Sequence, residues 1–267
     1  MWDKELEISK KCAVEAGKAI MEVYRDEKGF EITKKEDSSP LTAADMASNA
    51  IITKALRTAF PDYAILSEEE KDNKQRLNKD LCFVVDPLDG TKEFIKRNGQ
   101  FTVNIALSYK HRTVMGVIYV PATGEMYYAA KGLGAYRTAD GITEKIAVSD
   151  RKEDIRLVAS SSHGSDRLEE LIERYDIKNI VKIGSSLKGC LVAKGDAEVY
   201  FRYNPTMEWD TAAMQCIVEE AGGVFRQMDD SEMLYNRENS LNDKGFYACN
   251  QRVLQLPLFI NRQGNSI

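Results

Sequence analysis

The chain has 267 residues, 43% hydrophobic and 30% charged, with a formal net charge of -5. That length supports one large core or two modest ones, and the negative balance excludes a general attraction to nucleic acid polymers. Five cysteines at 12, 82, 190, 216 and 249 have neither the parity of a disulfide framework nor the close spacing of a zinc knuckle.

Lys4 to Tyr24 carries Leu6, Cys12, Ala13, Ala16, Ile20 and Val23 as one apolar stripe, which predicts a helix. KGFEITKKEDSSPL follows as a short strand and polar loop. A second helix is expected from near Thr42 to about Phe60, where Pro61-Asp62 breaks it. YAILSEEE and LCFVVD then read as two compact strands that each deliver acids at the end. Between them, EKDNKQRLNKD reads as a solvated loop. Strands are expected over Phe101 to Tyr109, Val114 to Val120 and Glu125 to Ala130, joined by turns at KHRT and PATG.

Beyond GLGAYRTADG the pattern alternates. IRLVAS and NIVKIG are predicted strands around a helix from Ser165 to Tyr175. SSLKGCLVAKG reads as a helix, AEVYFR as a strand, EWDTAAMQCIVEEAGG as a helix with a glycine stop, and GFYACN as a late strand. The first half therefore reads as helices on a largely antiparallel sheet and the second as an α/β unit, with domains expected at 1–140 and 141–267. The opening segment lacks a signal peptide's apolar centre and no run reaches transmembrane length, so cytoplasmic residence is expected. A peripheral membrane partner and the oligomeric state stay open.

Asp86 and Asp89 flank Pro87, and Gly90 follows. Such a stretch can turn two carboxylates and the Leu88 carbonyl toward a hard cation such as Mg²⁺. Glu68, Glu69, Asp210 and Asp45 lie at other predicted element ends. Taken singly, each also reads as a solvent-facing acid or a helix cap, so the residues alone leave metal chemistry and solvated loops both open. Gly90-Thr91 adds backbone N–H groups and a hydroxyl that can hold a phosphate oxygen. Trp209, Met207, Met214, Val199 and Ile217 read as packing residues, while Lys92 and Glu93 fall close to the acidic stretch.

SPLTAAD, LSEEE, DPLDGTKEF, FTVNIAL, GSSLKG and WDTAA occur in that order over nearly the whole chain. Together they resemble the magnesium-dependent inositol monophosphatase superfamily, and KEF, FTVNIAL and GSSLK favour its 3′(2′),5′-bisphosphate nucleotidase branch. The resemblance implies a layered αβαβα sandwich, an α+β first unit followed by an α/β second unit. It implies Mg²⁺ held by Glu68, Asp86, the Leu88 carbonyl, Asp89 and Asp210. Glu68 and Thr91 match residues that activate water, with Asp45 supporting Thr91, and Gly90 and Thr91 match the phosphate-holding turn. Ser160, Ser162, His163, Ser185, Ser186, Lys188 and Arg202 match nucleotide contacts, although without the resemblance Lys188 and Arg202 also read as surface cations and His163 as a loop or cap residue.

The sequence departs from the branch pattern at Ser161, where arginine is usual, and at Met214, where glycine is usual. The implied reaction is hydrolysis of the 3′-phosphate of adenosine 3′,5′-bisphosphate to AMP and phosphate, with 3′-phosphoadenylyl sulfate as a further substrate. That activity would recycle a by-product of sulfate activation. An inositol or sugar monophosphatase, and a noncatalytic nucleotide-binding or protein-interaction module, are the alternative readings.

Overall fold

A computed structural model describes residues 1–26, 32–34, 40–161 and 164–260. Helices α1 (Asp3–Arg25) and α2 (Ala43–Ala59) flank a short antiparallel pair, β1 (Ile32–Lys34) and β2 (Pro40–Thr42). Next come β3 (Ala64–Ser67), β4 (Leu81–Asp89) and the short helix α3 (Thr91–Ile95). The chain then meanders through β5 (Thr102–Tyr109), β6 (Arg112–Val120), β7 (Glu125–Ala130), β8 (Gly134–Ala139) and β9 (Ile142–Ile146). Strands β3 to β9 form one seven-stranded sheet in sequence order, parallel only between β3 and β4.

The second half contains β10 (Arg156–Ser160), α4 (Asp166–Arg174), β11 (Asn179–Ile183), α5 (Leu187–Ala193) and β12 (Val199–Arg202). It continues with β13 (Thr206–Met207), α6 (Glu208–Glu220), β14 (Val224–Gln227), β15 (Leu241–Asn242), β16 (Phe246–Cys249) and α7 (Pro257–Ile260). Its main sheet has the order β11-β10-β12-β16-β14. Among the described residues no helix is long and apolar enough to cross a membrane.

Strand alternation separates three cores and so defines the layers. Phe83, Val85, Ile105 and Leu107 face α1 and α2. On the opposite face, Val84, Ala106, Ile118 and Ala129 meet α5, α6 and the inner side of the second sheet through Val158, Tyr200 and Phe246. That sheet's outer side packs Leu157, Val199 and Phe201 against Leu168 and Leu171 of α4 and Phe259 of α7. The result is the expected helix–sheet–helix–sheet–helix sandwich, and all five cysteines are free and buried within it.

The middle layer sits close to the first sheet because of register. Val84 pairs with Ala106, Ala106 with Gly116, Gly116 with Ala129, and Ala129 with Ala135. Ala106, Gly116, Ala129 and Ala135 form a trough of small residues across four strands, and α6 lies in it through Ala212 and Ala213. A Cβ built on Gly116 would stand 2.5 Å from the Ala213 carbonyl oxygen, so helix backbone and strand backbone nearly touch.

Two expectations require correction. Strands β8 and β9, absent from the sequence reading, extend the first sheet through a hairpin closed by Asp140 (φ 51°) and Gly141 (φ 77°). The segment expected as a solvated loop at 70–80 is largely exposed but buries Arg76, whose guanidinium donates to Asp72 Oδ2 (2.9 Å), Asn236 Oδ1 (2.9 Å) and Ser240 Oγ (3.3 Å). Asn236 in turn donates its backbone N–H to Glu208 Oε2 (2.6 Å), in the first turn of α6. A fixed polar chain thus ties the loop after β3 to the helix that bears Asp210. Arg76→Ala is expected to lower stability in urea denaturation by about 2 kcal/mol, less than for a fully buried pair because Asp72 retains water contact.

Candidate functional site

The acidic pair owes its arrangement to an irregularity in β4. Asp86 pairs with Asn104 but Asp89 pairs with Thr102, so three steps on β4 match two on β5. On a regular strand, residues three apart face opposite sides; one extra residue in a bulge restores a common side. The expected turn is therefore a bulged strand end, and Pro87 lies where an N–H is not needed by the ladder. Its carbonyl accepts from Ser48 Oγ (2.7 Å), while the Leu88 N–H donates to Asp86 Oδ1 (3.0 Å). The Leu88 side chain is buried in the α1/α2 core, and its carbonyl accepts from Thr91 Oγ1 at 3.4 Å.

Gly90 follows with φ 91°, a conformation that disfavours a Cβ, and starts α3 at Thr91. Thr91 Oγ1 also donates to Asp45 Oδ1 (3.3 Å). Asp45 uses its other oxygen to cap α2, accepting from the Thr42 N–H (2.8 Å) and Thr42 Oγ1 (2.6 Å). One buried carboxylate thereby fixes both a helix start and the threonine hydroxyl.

Glu68 continues the β3–β4 pairing, its N–H donating to the Val85 carbonyl (3.1 Å), and its carboxyl hydrogen-bonds to that of Asp86. Asp210 enters from the first turn of α6, where Oδ2 accepts from the Met207 N–H (2.7 Å). One oxygen from each of Asp86, Asp89 and Asp210 lies within 4.8 Å of the others. Burial, reinforced by Glu68, Asp89 and Asp210, pushes the Asp86 carboxyl well above its ordinary range. Burial and Asp89 likewise push Asp210 up to about 8. Acids gathered against their own repulsion require protons or a cation, and an all-oxygen donor set fits a hard divalent ion such as Mg²⁺.

One cavity of about 280 Å³ is lined by Glu68, Asp89 and Asp210 together with Ser160, Ser185, Ser186, Lys188, Arg202 and Tyr200. Lys188 is buried; its Nζ donates to the Ser185 carbonyl (2.6 Å) and lies 5.7 Å from the Tyr200 ring centre. Burial pushes this amine down to about 8, with Arg202 adding to the effect and Asp89 opposing it. Arg202 Nε is buried without a hydrogen-bond partner among the described residues. Ser186 Oγ turns to Asp89 Oδ2 at 2.6 Å. Ser162 and His163 lie outside the described residues.

The cavity lining extends beyond the acids and the nucleotide-contact candidates. Met214 was assigned to packing, yet its position four residues after Asp210 places it on the same helix face, and it borders the cavity. Lys92 and Glu93, expected near the site with Glu93 as a catalytic candidate, also line it. Asn104 was not singled out, although a carboxamide inside the apolar run FTVNIAL was a signal.

The inositol monophosphatase family model matches residues 1–260, and the chain belongs to that family. A 3′(2′),5′-bisphosphate nucleotidase, CysQ of Salmonella typhimurium, is 44% identical over 232 residues, covering 86% of this chain and 94% of the relative. The crystal structure of CysQ from Bacteroides thetaiotaomicron, described as a bacterial member of the inositol monophosphatase family, is 38% identical with a TM-score of 0.81. It covers 93% of this chain and 97% of its own. The extragenic suppressor protein suhB from Bartonella henselae gives a TM-score of 0.82 at 25% identity, over 97% of this chain and 98% of its own.

Proposed function

We propose that this chain is a Mg²⁺-dependent phosphatase that converts adenosine 3′,5′-bisphosphate to AMP and phosphate, and also accepts 3′-phosphoadenylyl sulfate. The observation that carries this reading is one cavity lined both by members of a carboxylate cluster and by Lys188 and Arg202. A substrate with two phosphates matches both the acidic cluster, through a cation, and the two basic groups, whereas an inositol monophosphate leaves the basic groups without an anion. The sequence identity to bisphosphate nucleotidases supports the same choice.

In this reading Glu68, Asp86, the Leu88 carbonyl, Asp89 and Asp210 hold the ion. When bound, Mg²⁺ supplies charge that offsets the phosphate oxygens and lowers the cost of ionising water. Thr91 Oγ1 donates its own hydrogen toward Asp45 or the Leu88 carbonyl, so its lone pairs accept from the attacking water and aim it. Glu68 accepts the water's proton. The amides of Gly90 and Thr91 orient the transferred phosphate. Lys188 and Arg202 hold the 5′-phosphate, the latter through donors that include its unpartnered Nε. Ser160, Ser162, His163 and Ser185 belong to the nucleotide-contacting set. Cytoplasmic residence accompanies this reading and agrees with five unpaired cysteines.

Phosphate release should be measured on adenosine 3′,5′-bisphosphate, 3′-phosphoadenylyl sulfate and inositol 1-phosphate, with and without Mg²⁺. Release from the nucleotides only with Mg²⁺ is expected. Turnover of inositol phosphate alone would assign a different substrate, and nucleotide binding without release would leave a binding module. Across pH 6.5 to 9 the nucleotide KM is expected to climb as Lys188 loses its charge near about 8. A flat wild-type KM over that interval would remove Lys188 from the anion site.

A further inference from the structure

Asp89 is held from the side away from its own strand. Its Oδ2 accepts from Ser186 Oγ (2.6 Å), Asn104 Nδ2 (3.2 Å) and, at longer range, Thr102 Oγ1 (3.5 Å). Asn104 Nδ2 also donates to Ser186 Oγ (2.9 Å), so the three groups close a triangle. Asn104 and Ser186 are each 1% exposed, so both donors are fixed by the surrounding packing. The amide orientation follows from the chemistry. Reversed, Asn104 Oδ1 would face the Asp89 carboxylate and a serine oxygen whose hydrogen is already committed.

The arrangement is not explained by stability. Asn104 lies on a buried strand between Val103 and Ile105, and its Oδ1 has no hydrogen-bond partner among the described residues. A buried acceptor left unsatisfied weakens the fold, and an apolar side chain of the same size would avoid that cost. What the carboxamide provides is directional: with Oδ2 saturated, Asp89 has one oxygen, Oδ1, left for a cation.

We infer that Asn104 is a positioning residue that, together with Ser186, makes Asp89 a one-oxygen ligand and ties the α5 segment bearing Lys188 to the cation site. This assignment rests on the proposed role of Asp89 in metal binding. It also gives Ser186 a task other than contacting nucleotide. The triangle spans both sheets' territory: Asn104 comes from β5, Asp89 from β4, and Ser186 from the turn before α5. A shift of α5 on anion binding would therefore be felt at Asp89.

The test is Mg²⁺ calorimetry on the whole chain without nucleotide, paired with thermal melting of the metal-free protein. Asn104→Leu, close to isosteric, is expected to weaken Mg²⁺ binding about tenfold or more, the range for residues that orient a metal ligand, while the metal-free melting temperature holds or rises. Ser186→Ala is expected to weaken binding in the same direction and supplies the measurement if N104L does not fold. Asn250→Ala, which removes a buried cap of the 251–255 turn outside the cavity lining, should lower melting without altering Mg²⁺ affinity. Wild-type binding with N104L and S186A within twofold of it would overturn the inference and leave the proposed phosphatase intact. Absence of Mg²⁺ binding by the wild type would overturn both.

Discussion

Asp210→Asn is expected to reduce phosphate release from adenosine 3′,5′-bisphosphate roughly 10³-fold at saturating Mg²⁺, the equivalent of about 4 kcal/mol of lost charge stabilisation. The change preserves shape. The substituted carboxamide would still present an oxygen to the Met207 N–H, which Asp210 accepts at 2.7 Å, so the first turn of α6 stays capped. What disappears is one anionic oxygen from the group shared with Asp86 and Asp89. Turnover by D210N within tenfold of wild type across a Mg²⁺ titration would remove Asp210 from the ligand set.

The same substitution is expected to stabilise the metal-free protein, and the sign follows from proton binding. Burial and Asp89 push Asp210 up to about 8 from an ordinary 3.8. Between pH 4 and 8 the folded chain therefore holds a proton that the unfolded chain releases. Stability contributed by this group is full below pH 4 and is lost as pH rises toward 8. A carboxamide carries no such slope, so thermal melting without metal should show D210N gaining on wild type from pH 5 to pH 8. Adding Mg²⁺ at pH 8 should raise the melting temperature of wild type more than that of D210N, because the ion binds the folded state and replaces the missing protons. Activity and metal-free stability are opposed at one carboxylate.

Much of the site was visible in the chain because its acids stand at abrupt ends of hydrophobic runs. LCFVVD can bury its apolar residues only as a core strand, and Asp86 then falls at the mouth of that core. The amphipathic stripe of α1 and the glycine stop of α6 were equally local signals, and the resemblance carried by DPLDGT and WDTAA supplied the layering that local patterns cannot. Long-range register was not legible. The bulge that sets Asp86 and Asp89 on one side depends on β5, and so does the contact from Asn104 to Asp89. Strands β8 and β9 escaped notice because β9 is exposed along most of its length and lacks the apolar alternation that marks a strand. Arg76 was misread for the opposite reason: a charge-rich run normally lies in water, and only Asn236 and Ser240, some 160 residues away, show why this guanidinium does not.

Gly116→Val is expected to be among the most damaging single changes to the fold, and to damage the site through it. The first methyl alone would meet the Ala213 carbonyl oxygen at 2.5 Å and the Ala213 Cα at 3.0 Å. These are backbone atoms in the middle of α6, so no side-chain rotation relieves the clash; the helix must lift from the trough formed by Ala106, Gly116 and Ala129. Overpacking against a rigid obstacle falls at the upper end of the usual range, about 3 kcal/mol. For a chain of this size that corresponds to a fall in melting temperature of roughly 6–12 °C. Lifting α6 also withdraws Asp210 from Asp86 and Asp89, since the helix carries the first and the sheet the other two. At a temperature where circular dichroism shows G116V folded, its Mg²⁺ affinity and phosphate release should both fall, with Gly116→Ala affected in the same direction but less. A G116V protein that melts within about 2 °C of wild type would show that the helix has slack over this strand, and that the close approach is not what brings Asp210 to the acidic pair.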